Sequence, residues 1–231
     1  WKEIRSAQDY GNYCPQIKRD TLWFELGKTS EDCLTLNVWT PKNSSVSQLP
    51  VMVWIHGGGY LQGSGNIPRL NNPEFAKQDV VLITINYRLN VFGFFAHPSL
   101  LQKSGNEMVG NYGLLDTIAA LEWIQRNIHL FNGNPNNVTV FGESAGASLI
   151  SYLMVTPRSK GLFHKAISQS AAVGLAPDTH INKQVGFNIS GVDIAKKFVK
   201  ETGLELDRSL DQLRHLSSDE IIEQLDPRTV F

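Results

Sequence analysis

The stretch Val138-Thr-Val-Phe-Gly-Glu-Ser-Ala-Gly-Ala147 constrains this chain more than any other. It reads as a short β-branched strand, a tight turn presenting Ser144, and the start of a helix. In the pattern Gly142-x-Ser144-x-Gly146 the glycines leave no side chain where a strand-to-helix reversal crowds the backbone, so the serine can hold a strained conformation. Its hydroxyl then stands above the sheet. The N–H of Ala145 lies at the helix start, where the positive end of the helix dipole favours an anion forming beside the serine. That is the chemistry of acyl transfer. A bare Gly-x-Ser-x-Gly run also occurs as an ordinary loop, and here the flanks decide. Leu149, Ile150, Leu153 and Met154 follow at helical spacing, and a glycine triplet lies upstream after another strand.

That upstream strand, Val51-Met-Val-Trp-Ile55, is apolar at consecutive positions, as in a strand buried on both faces of a mainly parallel sheet. It runs into His56-Gly-Gly-Gly-Tyr60. Three adjacent glycines weaken helix and strand alike, so the loop calls for positive φ or close approach of a ligand, and its bare N–H groups can line an anion cavity. Val80–Ile85 reads as a second doubly buried strand. Leu34, Leu36 and Val38 alternate with polar neighbours as a two-faced strand, and Ala166–Ser170 as a further short one. Between them, Pro73–Gln78 forms a short helical turn and Val91–Phe95 a packed crossing. Leu114, Ile118, Leu121, Ile124 and Ile128 line one face of an amphipathic helix. Asn132–Asn137 is dense turn chemistry, and the strand leading into the sharp turn, or elbow, at Ser144 starts at Val138. Alternating strands and helices predict parallel pairing with crossover helices. From Gly191 the character is helical, with Ile194, Phe198 and Val199 on one helix and Leu210 and Leu213 on the next. A Ser217-x-x-Glu220 capping box opens a third.

Composition narrows the function classes. The 231 residues are 42% hydrophobic and 19% charged, which fits a packed core rather than disorder. A net charge of −1 with no long basic run argues against nucleic acid as a partner. No apolar run approaches the roughly twenty residues that cross a bilayer, so no membrane span is expected. Cys14 and Cys33 permit one disulfide or two thiols; bridged, they close a loop worth about 3 kcal/mol and favour an extracellular or secretory compartment, whereas free thiols would fit the cytoplasm.

Four motifs in order, Glu31-Asp-Cys-Leu-Thr-Leu-Asn-Val38, His56-Gly-Gly-Gly59, Gly110-Asn-Tyr-Gly-Leu-Leu-Asp116 and Phe141-Gly-Glu-Ser-Ala-Gly146, resemble those of type-B carboxylesterases, the cholinesterase-like α/β-hydrolases. The resemblance implies an α/β-hydrolase domain over residues 1–231, with a mainly parallel sheet and crossover helices on both faces. Residues 1–33 would be an irregular surface segment and 191–231 a helical one. It implies Ser144 as nucleophile, the N–H groups of Gly58, Gly59 and Ala145 as oxyanion hole, and a Cys14–Cys33 bridge. Neither cofactor nor metal is part of that machinery; the ligand is a small carboxylic ester. Glu143 is similar to a family glutamate that lines the pocket, and Trp23 is placed like the tryptophan that cradles choline in cholinesterases.

A serine nucleophile needs a histidine base and an orienting acid, in the chain order serine, acid, histidine. Relatives carry these beyond the position matching Phe231. His164, His180 and His215 follow Ser144, and Asp178 and Asp193 precede His215, so a rearranged triad is the alternative. On the resemblance the chain is an internal piece, truncated at both ends: a fragment of an esterase, one chain of a cleaved enzyme, or a shortened pseudoenzyme. A missing C-terminal part or second chain would then supply acid and histidine. Two other functions fit the same scaffold, non-catalytic adhesion as in neuroligins and a lipase.

Overall fold

Among the described residues five strands form one sheet, and their residue types explain its layering. They are β1 (Leu36–Trp39), β2 (Leu49–Ile55), β3 (Val81–Ile85), β4 (Gly133–Glu143) and β5 (Lys165–Gln169), in spatial order β1-β3-β2-β4-β5. All neighbours pair in parallel except β1, which runs antiparallel to β3 at one edge. The structure is a computed structural model describing residues 6–18, 24–68, 73–104, 109–172, 179–185 and 189–225. Trp23 and Asp178, singled out in the sequence, lie outside the described residues.

The helices are α1 (Glu74–Lys77), α2 (Asn90–Phe94), α3 (Pro98–Ser104), α4 (Tyr112–Asn127), α5 (Ala145–Val155), α6 (Gly191–Glu201), α7 (Leu206–Leu213) and α8 (Ser218–Glu223). The predicted crossing at Val91–Phe95 is thus largely the helix α2. On α4, Leu114, Ile118, Leu121 and Ile124 are buried as their spacing predicts, and on α5 Leu149, Ile150 and Leu153 are buried. They pack with Val51, Val53, Ile55, Val81, Ile83, Ile85, Val138 and Val140 in the main core. Parallel register puts those strand residues on one face, since Val51 sits opposite both Val81 and Val138, and Val53 opposite Ile83 and Val140. Met154, read as part of the apolar run, is 61% exposed instead.

The opposite face of the sheet corrects the sequence reading of β2. Only alternate residues of that strand are buried; Met52 and Trp54 are half-buried. The reason is one-sided cover. The long helices α4 and α5 pack their apolar stripes into the core on the other side, while this face has Trp54 against Phe141 at 5.0 Å and Phe141 against Phe75 of the one-turn α1 at 6.0 Å. β3, between β1 and β2, is buried at every position, as predicted. β5 is exposed at every position, so Ile167 stands 45% exposed on an edge strand.

Two local readings change form. The elbow strand starts at Gly133, but its register with β2 jumps between Leu49↔Gly133 and Val51↔Val138, so the Asn-rich stretch bulges out of the ladder. The segment before β1 is irregular in its described parts but is not wholly superficial. Tyr13, Cys14 and Cys33 are buried, and Cys14 and Cys33 form a disulfide within the main core. A second core joins Val91 and Phe95 to Phe198, Val199, Leu213 and Ile221 of the C-terminal helices and to Leu225 just beyond α8. Ser217 accepts from Glu220 N–H while the Glu220 carboxylate accepts from Ser217 N–H, the capping box read from sequence.

Candidate active site

One residue, Ser144, separates the end of β4 from the first turn of α5, and it adopts φ 54°, ψ −120°. That is a costly backbone for a residue with a side chain, and it persists because the surroundings fix it from several sides. Ser144 N–H donates to the Gln169 carbonyl at 2.9 Å, and Ser148 N–H to the Ser144 carbonyl at 2.9 Å. The flanking glycines are required by close approach. A Cβ on Gly146 would lie 2.1 Å from the Ile55 carbonyl oxygen, and one on Gly142 2.6 Å from the same atom. The elbow is therefore pressed against the end of β2, and any side chain at either glycine would force the two strands apart.

The end of β2 leads straight into the glycine triplet, whose members serve different needs. Gly57 permits contact: a Cβ there would sit 2.7 Å from the Glu143 carbonyl oxygen and 3.2 Å from Ser144 Cβ. Gly58 meets both needs, with φ 112° and a Cβ that would fall 2.1 Å from the Gln62 carbonyl oxygen, whereas Gly59 has φ 64° and open space around it. The Gly58 carbonyl accepts from Leu61 N–H at 3.1 Å and Gln62 N–H at 3.2 Å, closing a turn. Among the described residues the Gly58 and Gly59 N–H groups donate to no protein acceptor. Three sequence-predicted elements, the serine, the glycine loop and the helix start at Ala145, thus converge. Ser144 is half-buried and Ala145 nearly buried.

Beside the loop lies a cavity of about 240 Å³, lined in part by Trp54, Gly57, Gly58, Gln62 and Glu143. Glu143 is exposed, with a carboxylate oxygen 2.9 Å from where a Gly57 Cβ would be. The Trp54 indole N–H is buried without a partner among the described residues. His56, by contrast, is structural. The residue is 2% exposed, its ring stacks on Tyr87 at 4.3 Å, and its Nδ1–H donates to the Gly57 carbonyl at 2.8 Å. The Tyr87 hydroxyl donates to the His56 carbonyl at 2.8 Å. Burial lowers the pKa of His56 to about 4, so the imidazole is neutral at pH 7.

None of the downstream histidines joins Ser144. His164 Nδ1 accepts from Val138 N–H at 3.2 Å, midway along β4 and about 20 Å along the strand from the serine. His180 Nδ1 accepts from Asn182 N–H, and His215 Nδ1–H donates to the Asp211 carbonyl; both are exposed. Asp193 accepts from the Ser190 hydroxyl at the start of α6 and pairs with Lys196. Among the described residues, Asp193 and these histidines form no triad with Ser144. Among the described residues no cluster of His, Cys, Asp and Glu is placed to hold a metal ion, and no helix is long and apolar enough to cross a membrane.

Sequence reasoning missed what braces this site. Asp116, quoted only as the end of a motif, is nearly buried and accepts three hydrogen bonds from Arg88: from its backbone N–H at 3.0 Å, Nε at 2.8 Å and Nη2 at 2.7 Å. The pairing ties the end of β3 to α4 and raises the Arg88 pKa further. Asn86, beside Arg88 at the same strand end, accepts from Ser64 Oγ and Gly65 N–H at 2.8 Å each, a buried knot that no local period announces.

A parallel sheet with crossover helices and a serine raised between strand and helix defines the α/β-hydrolase class. The chain belongs to the Carboxylesterase family, which it matches over residues 1–230. It is 39% identical to the para-nitrobenzyl esterase of Bacillus subtilis over all of this chain and 48% of that protein. It is also 40% identical to the acetylcholinesterase of Electrophorus electricus over 74% of this chain and 28% of that one. The fold superimposes on the crystal structure of carboxylesterase EST55 from Geobacillus stearothermophilus at a TM-score of 0.83 and 34% identity, covering 100% of this chain and 45% of that one. The chain spans about half the length, or less, of the relatives it matches.

Proposed function

We propose that these residues carry the nucleophile half of a serine carboxylic-ester hydrolase. Ser144 Oγ attacks the ester carbonyl carbon, and the C–O bond so formed leaves an oxyanion that accepts hydrogen bonds from the N–H groups of Gly58, Gly59 and Ala145. Collapse breaks the bond to the alcohol, which leaves with a proton. Water then attacks the acyl-serine, releasing the acid and restoring the hydroxyl. The proton shuttle is a histidine oriented by an acid, contributed by parts of the protein outside these residues or by a second chain. The observation that carries the reading is the isolated left-handed Ser144 between β4 and α5, in contact range of Gly57. The full chain is expected to be labelled by a fluorophosphonate probe, with labelling abolished in Ser144→Ala. A well-folded, unlabelled parent would defeat the assignment.

The disulfide, with both cysteines buried, supports folding in an oxidising compartment and hence an extracellular or secretory location. Protein isolated from its native source and alkylated in denaturant, which opens the buried site, should gain two alkylated cysteines only after reduction. Alkylation before reduction would place it in the cytoplasm.

A further inference from the structure

The buried residue Gln16 grips the far end of the glycine loop. It is 4% exposed in a segment without regular structure, and its carboxamide is satisfied mainly by one residue. Its Oε1 accepts from Gly63 N–H at 2.9 Å, and its Nε2 donates to the Gly63 carbonyl at 3.0 Å and the Cys14 carbonyl at 3.0 Å. A paired bond of this kind fixes both position and orientation of the peptide it holds.

Gly63 transmits that grip to the site. Its φ is +117°, and a Cβ there would fall 2.4 Å from His56 Nδ1 and 2.6 Å from the Gly57 carbonyl oxygen, so its backbone rests directly on the base of the triplet. The neighbouring Gln62 N–H bonds the Gly58 carbonyl. Gln16's own backbone is held two residues away by the Cys14–Cys33 crosslink, and the other end of that crosslink is secured where Asn86 Nδ2 donates to the Cys33 carbonyl at 2.9 Å. Asn86 in turn accepts from Gly65 N–H. Residues 63 and 65 are therefore anchored from both ends of one buried disulfide.

We propose that Gln16 is a positioning residue for ester hydrolysis, fixing the Gly58–Gly63 turn so that the Gly58 and Gly59 amides keep the orientation that receives the oxyanion. The assignment rests on the hydrolase reading above. Preorganised donors lose their advantage when the backbone carrying them can rotate, whereas binding of the ground-state ester depends on them far less.

The test uses the full chain carrying Gln16→Met, which keeps length and loses every hydrogen bond, and Gln16→Glu. Active sites are titrated with a fluorophosphonate, so that loss of folded protein does not count as loss of rate. In Gln16→Met, kcat per titrated site is expected to fall by about tenfold or more, with KM within about threefold of native. For Gln16→Glu the ratio of its kcat to the native value should rise as pH falls, because a neutral carboxyl regains one donor and one acceptor for Gly63. A Gln16→Met kcat per site within about twofold of native overturns the proposal. If the native full chain turns over no ester, the hydrolase reading has failed, and amide hydrogen exchange decides the clamp by itself. Exchange at the Leu61 and Gln62 amides, which bond the Gly58 carbonyl, should then be faster by about tenfold in Gln16→Met while β3 and β4 keep their protection; unchanged exchange there refutes it.

Discussion

Acidification should destabilise this fold through His56, and the size of the effect follows from its burial. In the unfolded chain the imidazole titrates near 6.5; folded, it is held to about 4 because protonation would place a charge in a desolvated site already filled by the Tyr87 ring. Above pH 6.5 both states are neutral and the full stability is present. Between 6.5 and 4 the unfolded chain takes up a proton that the native state refuses, so stability falls by up to about 1.4 kcal/mol per pH unit. Below pH 4 both states are protonated and the loss from this residue levels off at about 3 kcal/mol. Asn in place of His56 can still donate to the Gly57 carbonyl but cannot titrate. Urea unfolding of native and His56→Asn full-length protein, measured at intervals from pH 7 to 4, isolates the contribution. His97, whose pKa burial also lowers, is common to both and cancels. The native protein should lose about 3 kcal/mol more than the variant across that range. Parallel pH profiles for the two would refute the argument, whatever their absolute stabilities.

Gly146→Ala should destabilise by about 3 kcal/mol or more, because its Cβ would stand 2.1 Å from the Ile55 carbonyl. Gly59→Ala, with nothing within 4 Å but φ +64°, should cost only about 1 kcal/mol; equal urea midpoints would contradict the close-approach account of the elbow. Asp116→Ala strands the Arg88 N–H groups at the end of β3 and should cost about 2–3 kcal/mol, less than a fully buried pair because Arg88 is 37% exposed. Double replacement of Cys14 and Cys33 by Ala reopens a 19-residue separation and should cost about 3 kcal/mol in chemical unfolding. A loss below about 1 kcal/mol would mean the buried network around Gln16 and Asn86 holds the segment unaided.

Local patterns determined a good deal by themselves. The turn at Ser144, the helix under Leu114–Ile128 and the capping box at Ser217 were legible because each is set by spacings of two to four residues, which any chain with that pattern must obey. The glycine triplet was legible as a loop needing positive φ or close contact, and the structure shows close contact at Gly57, positive φ at Gly59 and both at Gly58. Only the tertiary structure decided which face of β2 is covered, that β5 is an exposed edge, and that His164 meets β4 at Val138, six residues before the serine. It alone made His56 a neutral strut and Gln16 a clamp. Those outcomes depend on residues dozens of positions apart meeting across the sheet, and a sequence period carries no record of which distant backbone atom a buried polar group will find.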